Sequence, residues 1–99
     1  MNDSEVPRVS LYSRVRRVAG ALVVAGRTET EEPLELDETA ELIWQSIDGR
    51  RTVRQIAARV ARQYGEEEVE LVADVAAFLD DLTARRLVEW PGDARRPPS

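Results

Sequence analysis

The chain has 99 residues, of which 42% are hydrophobic and 33% charged, and its net charge of −5 argues against a general binder of polyanions. It contains no cysteine and no histidine, which excludes disulfides and thiolate metal sites and removes the commonest general base of enzymes. No apolar run approaches the ~20 residues of a membrane span, and the polar start Met1–Glu5 is not a signal peptide.

These features lead us to expect a cytoplasmic protein with no metal, no cofactor and no membrane partner. Residues 1–8 and 91–99 are polar or proline-rich, and we expect both ends to be flexible. The remaining stretch, 9–90, is long enough for one small domain. We find no internal repeat in it.

A β-hairpin is predicted near the start of this domain. Polar and apolar residues alternate over Arg14–Val18, Ala19-Gly20 can turn the chain, and Ala21–Ala25 suits a returning strand. The polar and acidic stretch 26–32 is expected to be a loop.

A third strand is predicted at Pro33–Leu36, where proline suits a strand start or a sheet edge because it lacks an N–H. Leu34 and Leu36 would face one side of the sheet and Glu35 the other. A three-stranded antiparallel sheet of this size needs helices against one face.

Three helices are predicted after the sheet. Good N-caps at Asp37 and Thr52 start the first two, and glycines at 49 and 65 follow their ends. Apolar residues recur at helical spacing throughout, and the predicted spans are 37–47, 52–64 and 69–86. The fold class is therefore α+β, a winged helix-turn-helix-like arrangement of three strands followed by three helices.

The second predicted helix has a basic polar side, formed by Arg54, Arg59 and Arg62. Such a side is either a solvated face or a docking surface, because arginine stays charged and can grip carboxylates with two parallel hydrogen bonds. The pattern alone leaves both interpretations open.

The third predicted helix has more apolar surface than one core needs. Its expected core positions are Leu71, Val75, Phe78 and Leu82, and a neighbouring flank consists of Val72, Ala76, Leu79 and Thr83. Together these positions span roughly 160° of the helix, against about 100° for a helix that faces one core.

This excess surface suggests a groove for an extended peptide. The peptide would add to the edge of the third strand through main-chain hydrogen bonds, and pockets would select its alternate side chains. The competing interpretation is that Val72 and Leu79 pack on the N-terminal hairpin.

Catalysis is not supported by the sequence, because each acidic residue lies at a cap, in a first helical turn or on a polar face. No phosphate loop, metal cluster or nucleophile–base pair is present in the pattern. The main alternative is a winged-helix DNA-binding or regulatory protein, in which Arg50, Arg51, Arg54 and Arg62 would contact phosphates. The acidic third helix argues against nucleic acid, since its carboxylates repel phosphates.

The chain resembles the PqqD-like family of precursor-peptide recognition elements, which serve pathways for ribosomally synthesised and modified peptides. The resemblance covers about residues 9–90 and depends on the order and spacing of five segments: Leu34–Ala40, Ile43-Trp44, Asp48–Val53, Asp74–Leu82 and Leu87-Val88.

The resemblance implies a non-catalytic adaptor. Its partners would be the leader of a precursor peptide, bound as an added strand, and a peptide-modifying enzyme or leader peptidase. Carried over by position, the peptide-binding residues are Leu34, Glu35, Leu36, Val72, Ala76, Leu79 and Thr83.

One residue departs from the family pattern. Arg86 stands where relatives often have glycine before the final Leu-Val. Either arginine takes a positive φ there, at a cost of very roughly 1 kcal/mol, or the helix is a residue longer. A monomer and a homodimer are both open, since a free strand edge can pair with its own copy.

Overall fold

The computed structural model describes residues 4–26 and 32–90. Within them the secondary-structure elements are, in chain order, β1 (Arg8–Val9), β2 (Arg14–Val18), β3 (Ala21–Ala25), β4 (Leu34–Leu36), α1 (Glu38–Ser46), α2 (Val53–Tyr64), α3 (Glu68–Ala84) and β5 (Val88–Glu89). The predicted three-stranded sheet followed by three helices is confirmed. The predicted loop at 26–32 falls largely on residues 27–31, outside the described part.

The main sheet is antiparallel, in the order β2-β3-β4. Its hairpin turns at Ala19 (φ 52°) and Gly20 (φ 86°), and the two positive φ values match the right-handed twist of the flanking strands. In this register Val24 of β3 lies opposite Val15 of β2 on one side and Leu34 of β4 on the other. Cross-strand partners face the same side of a sheet, so these three residues form one row.

A second, two-stranded sheet joins the two ends of the domain and was not predicted. It pairs Arg8 of β1 with Glu89 of β5, and their side chains form an ion pair at 2.9 Å. Further upstream, the Glu5 carbonyl accepts a hydrogen bond from the Val53 N–H at 3.0 Å, and Pro7 is fully buried. The prediction that residues 1–8 are flexible is therefore wrong for residues 5–8, which are held by α2 and β5.

Local capping explains the ends of the first two helices. The Asp37 carboxylate accepts a hydrogen bond from the Ala40 N–H at 2.8 Å at the start of α1. At the start of α2, Thr52 and Gln55 each accept a hydrogen bond from the other's backbone N–H, which is a complete capping box. Gly65 ends α2 with φ 67°. These boundaries agree with the predictions to within one residue.

The third helix ends two residues earlier than predicted, at Ala84. Arg86 has φ 63°, its N–H donates to the Thr83 carbonyl, and the Leu87 N–H donates to the Leu82 carbonyl, both at 2.9 Å. This pair of hydrogen bonds is a Schellman motif. Of the two alternatives left open at Arg86, the structure has the positive φ.

The core lies between the main sheet and the helices. It consists of residues from β3, β4, all three helices and the segment into β5, among them Leu22, Val24, Leu36, Ile43, Trp44, Ile56, Val60, Val75, Leu79, Leu82, Leu87 and Val88. Helix α2 packs on α1 and α3, and α1 also packs against β4. Tyr64, the last residue of α2, is exposed. No helix in the described ranges is long and apolar enough to cross a bilayer.

Candidate functional site

Strand β4 is an outer strand of the main sheet. One side of its backbone pairs with β3, and no strand of the described residues pairs with the other side. The N–H and C=O groups of alternate residues therefore point away from the sheet. Among the described residues, β4 therefore has one unpaired edge, which is the arrangement that strand addition requires.

The two leucines of β4 differ in their exposure. Leu36 is only 3% exposed and belongs to the core, whereas Leu34 is half-buried and packs against that core from outside. Glu35 is exposed on the other face of the sheet, in a row with Arg16 and Val23. A chain lying along β4 would meet Leu34 on the core side and Glu35 on the solvent side.

On α3 the structure divides the predicted flank. Val72 and Ala76 are half-buried and border the same core as Leu34. Leu79 is 0% exposed, so its proposed role as an open wall of the groove is wrong: it is a core residue, alongside Val75 and Leu82. The half-exposed apolar surface of α3 is therefore placed differently from the helical-wheel prediction, because Leu71 and Phe78, predicted as core residues, are half-buried.

Thr83, at the C-terminal end of the flank, is covered by the chain itself. Its hydroxyl donates to the Leu79 carbonyl at 2.6 Å and accepts from the Trp90 indole Nε1 at 3.0 Å. Trp90 packs against the core and is half-buried. The Trp90 indole therefore lies at the end of the apolar flank. The sequence alone contained no signal that Trp90 would contact Thr83.

The surface that remains accessible is smaller than the predicted set of seven residues. It combines the outer edge of β4 with three half-exposed apolar side chains, Leu34, Val72 and Ala76, and it ends at Thr83 and Trp90. We call these five residues with the β4 edge the β4–α3 surface. Chemically it offers main-chain hydrogen bonds next to apolar contacts, without a titratable group among its side chains.

The opposite edge of the sheet, β2, has different surroundings. Every residue of β2 is exposed. Its Arg17 guanidinium lies on the face that carries Leu22 and donates two hydrogen bonds to the Glu41 carboxylate of α1, at 3.2 and 3.0 Å. These hydrogen bonds lower the pKa of Glu41 below its ordinary value and raise the pKa of Arg17. Both groups are therefore charged at neutral pH.

Comparison with protein families shows one match over most of the domain. The family described as coenzyme PQQ synthesis protein D (PqqD) matches residues 23–88. This range includes β4, all three helices and the first residue of β5, and so contains most of the β4–α3 surface.

Three relatives extend this similarity. The PqqA binding protein of Rhizobium meliloti is 30% identical over 93 residues, which cover 87% of this chain and 95% of that protein. The PqqA binding protein of Xanthomonas euvesicatoria is 34% identical over 58 residues, covering 59% of this chain and 63% of that protein. The bifunctional coenzyme PQQ synthesis protein C/D of Methylorubrum extorquens is 30% identical over 89% of this chain, which spans 23% of that longer protein.

Two solved structures have the same fold. The PqqD part of Methylobacterium extorquens PqqCD, a stand-alone recognition element for ribosomally synthesised and modified peptides, superposes with a TM-score of 0.72 at 28% identity, covering 89% of this chain and 93% of that one. TbiB1, solved in complex with the TbiA(β) leader peptide, superposes with a TM-score of 0.73 at 19% identity, covering 87% and 99%. These similarities give no support to the alternative of a DNA-binding winged helix.

Proposed function

The chain belongs to the PqqD family, and we propose that it binds the leader of a ribosomally synthesised precursor peptide and presents that peptide to a modifying enzyme. The leader would add to the outer edge of β4 as a further strand. Its apolar side chains would lie on Leu34, Val72 and Ala76, and Trp90 would close the lower end of the site. Of the other predicted residues, Glu35 would face solvent beside the leader. Leu36, Leu79 and Thr83 would support the site from beneath.

One observation carries this proposal. The edge of β4 has no strand partner within residues 4–26 and 32–90, and half-exposed apolar side chains of β4 and α3 pack against one and the same core. An edge of this kind is a template for strand addition. Its position in the chain falls inside the segment that matches a family whose members include PqqA binding proteins.

The size of the surface is adequate for useful affinity. Burial of one leucine or phenylalanine of the leader contributes roughly 1.5–3 kcal/mol. Two such anchors, together with strand hydrogen bonds of about 1 kcal/mol each, approach the −8 kcal/mol of a micromolar complex after the entropic cost of association.

We propose that the chain itself is non-catalytic. A family relative carries this domain within a longer bifunctional C/D protein, and this arrangement supports a role beside another domain that carries the catalysis. The β4–α3 surface lacks a nucleophile, a general base or a metal-ligating cluster among its described side chains, so its chemistry suits binding.

A titration with a matched pair of valine variants tests the proposal. Val72 is half-buried on the β4–α3 surface, whereas Val69, three residues earlier on the same helix, is 79% exposed. A fluorescent leader of the precursor encoded beside this chain should bind saturably. We expect Val72→Asp to weaken this binding by ten- to a hundredfold, because a charge replaces an apolar contact, and Val69→Asp by less than twofold.

The unfolding midpoint of each variant, measured in urea, shows whether it is folded under the titration conditions. Equal loss of binding in both folded variants would place the leader elsewhere on the protein. Absence of binding by the unsubstituted chain would overturn the proposal.

A further inference from the structure

A basic depression lies on the outward side of α2. It has a volume of about 520 Å³ and is lined by three arginines, two glutamines and one alanine: Arg51, Gln55, Ala58, Arg59, Arg62 and Gln63. None of these residues belongs to the β4–α3 surface. The lining contains cationic and neutral side chains and no carboxylate.

Helical geometry explains how the depression forms. Residues 58 and 59 each lie three or four positions from both 55 and 62, so the four residues lie on one side of α2. The core residues Val53, Ile56 and Val60 lie on the other side. Arg51 lies in the turn before α2 and Arg62 in the last turn of the helix, so the depression runs along most of the length of α2. Ala58 is short, which leaves room between the long side chains around it.

The cations of the depression differ in their partners. Arg51 is held by the turn before α2, because its guanidinium donates to the Asp48 carboxylate and to the Ser46 carbonyl, both at 3.2 Å. Asp48 also accepts the Arg50 and Arg51 N–H groups, and these hydrogen bonds lower its pKa. The guanidinium groups of Arg59 and Arg62 have no hydrogen-bonding or ion-pair partner within the described ranges.

The depression is therefore a local cationic site on a chain whose net charge is −5. A guanidinium stays charged at any physiological pH and matches the two oxygens of a carboxylate. Two such groups one turn apart would complement acidic side chains that are themselves spaced by one helical turn or by two residues of an extended chain.

We infer that this face of α2 binds an acidic protein segment, and that in the cell the segment belongs to the modifying enzyme. The identification of the enzyme rests on the proposed function, since an adaptor needs a second surface that stays free while the leader occupies β4. Nucleic acid fits less well because exposed Glu66 and Glu67 directly follow α2, and these carboxylates would repel phosphates beyond the short cationic stretch.

The test uses the full chain and a defined probe. The probe is a fluorescein-labelled helical peptide of 16 residues with glutamate at every fourth position on an alanine background; its control is the same peptide with lysine. At 25 mM NaCl we expect the glutamate peptide to bind saturably, as measured by fluorescence anisotropy, and the lysine peptide not to bind. Raising NaCl to 300 mM should weaken this binding at least tenfold, because exposed charges are screened.

Charge-reversal variants locate the binding. Arg62→Glu should weaken binding of the glutamate peptide three- to tenfold. The double variant, Arg59→Glu with Arg62→Glu, should weaken it more than tenfold. The matched control for Arg62→Glu is Arg16→Glu on exposed β2, which makes the same change in net charge and should have less than a twofold effect. Leader affinity, measured on the same samples, should be unchanged in all three, so failure here is distinguishable from failure of the proposed function.

Three results would overturn the inference: equal binding by the double variant and by Arg16→Glu, tighter binding of a 20-base-pair DNA duplex than of the glutamate peptide, or self-association of the chain that the double variant abolishes. The last result would assign the basic depression to the acidic face of a second copy.

Discussion

The two outer strands of the main sheet, β2 and β4, both pair with β3, but their surroundings differ. Val24 is buried in the central strand, with Val15 of β2 opposite it on one side and Leu34 of β4 on the other. Leu34 packs against the core, whereas Val15 is 45% exposed. The helices thus cover the face of the sheet beneath β4 and leave much of the face beneath β2 to solvent.

The β2 edge is also protected by charge. Three of its five residues are arginines, and their side chains bind nearby groups: Arg14 donates to the Gly26 carbonyl, and Arg17 donates to the Gly20 carbonyl and to Glu41. Charged side chains along an outer strand discourage further strand pairing. The two edges thus differ in charge and in the apolar surface beneath them, and the edge with the apolar surface is the one that we propose as the binding site.

The largest expected difference between the edges is in stability. Leu36 of β4 is 3% exposed, so Leu36→Ala should lower the free energy of unfolding by about 2–5 kcal/mol through lost burial and a cavity. Val15→Ala on β2 should change it by less than about 0.5 kcal/mol. Urea unfolding followed by circular dichroism measures both. A similar cost at both positions would mean that the sheet is supported equally beneath its two edges.

The next difference is in leader binding. Leu34→Asp and Val15→Asp place the same charge at the two ends of one cross-strand row. We expect Leu34→Asp to weaken the leader complex by roughly 1.5–3 kcal/mol, the value of one apolar anchor, and Val15→Asp to leave it unchanged. Fluorescence anisotropy under conditions where both variants are folded gives the two constants. The reverse order would assign the leader to β2.

The C-terminal end of the β4–α3 surface allows a third test. The turn that brings Trp90 back onto Thr83 passes through Arg86 at φ 63°, a conformation that glycine adopts without steric cost. Arg86→Gly should therefore stabilise the fold by up to about 1 kcal/mol, less the extra entropy of glycine in the unfolded chain. The measurement is the urea midpoint.

The corresponding control is at the end of α2. Gly65 has a similar φ of 67°, and a Cβ placed there would meet no atom within 4 Å. Gly65→Ala should then destabilise by about 1 kcal/mol through backbone conformation alone. Loss of stability in Arg86→Gly would show that the arginine side chain makes a contribution greater than its backbone strain.

Local signals in the sequence predicted the parts of this fold that local chemistry determines. Asp37, Thr52 and Gly65 define helix ends by hydrogen bonds or φ values within four residues of themselves, and the hairpin turn at Ala19-Gly20 is equally local. The free edge of β4 followed from Pro33 and from the order of the strands. These features could be inferred without knowledge of the tertiary packing.

The parts that were predicted wrongly depend on contacts between distant residues. Pairing of Arg8 with Glu89 joins segments 81 residues apart, and two-residue strands have no periodicity to detect. Leu79 is the flank residue nearest to the core line on the helical wheel, so its full burial depends on how α3 is rotated against its neighbours. That rotation is determined by tertiary packing, which a wheel does not contain.

The smallest expected effect concerns the ion pair that connects the β2 edge to α1. Hydrogen bonds from Arg17 lower the pKa of Glu41 in the folded state, so the pair stabilises the fold at neutral pH. This contribution begins to fall as the pH drops below the ordinary value for glutamate, about 4.3, and is lost below the depressed folded pKa. The stability difference between the unsubstituted chain and Glu41→Gln should therefore shrink with acidification.

The control Glu38→Gln removes a charge from the same helical turn, where the carboxylate forms no ion pair with any described residue. Urea unfolding at stepwise lower pH should show the acid-dependent difference for Glu41→Gln to be the larger of the two. Equal curves would mean that the exposed edge is held by its hairpin pairing with β3 alone.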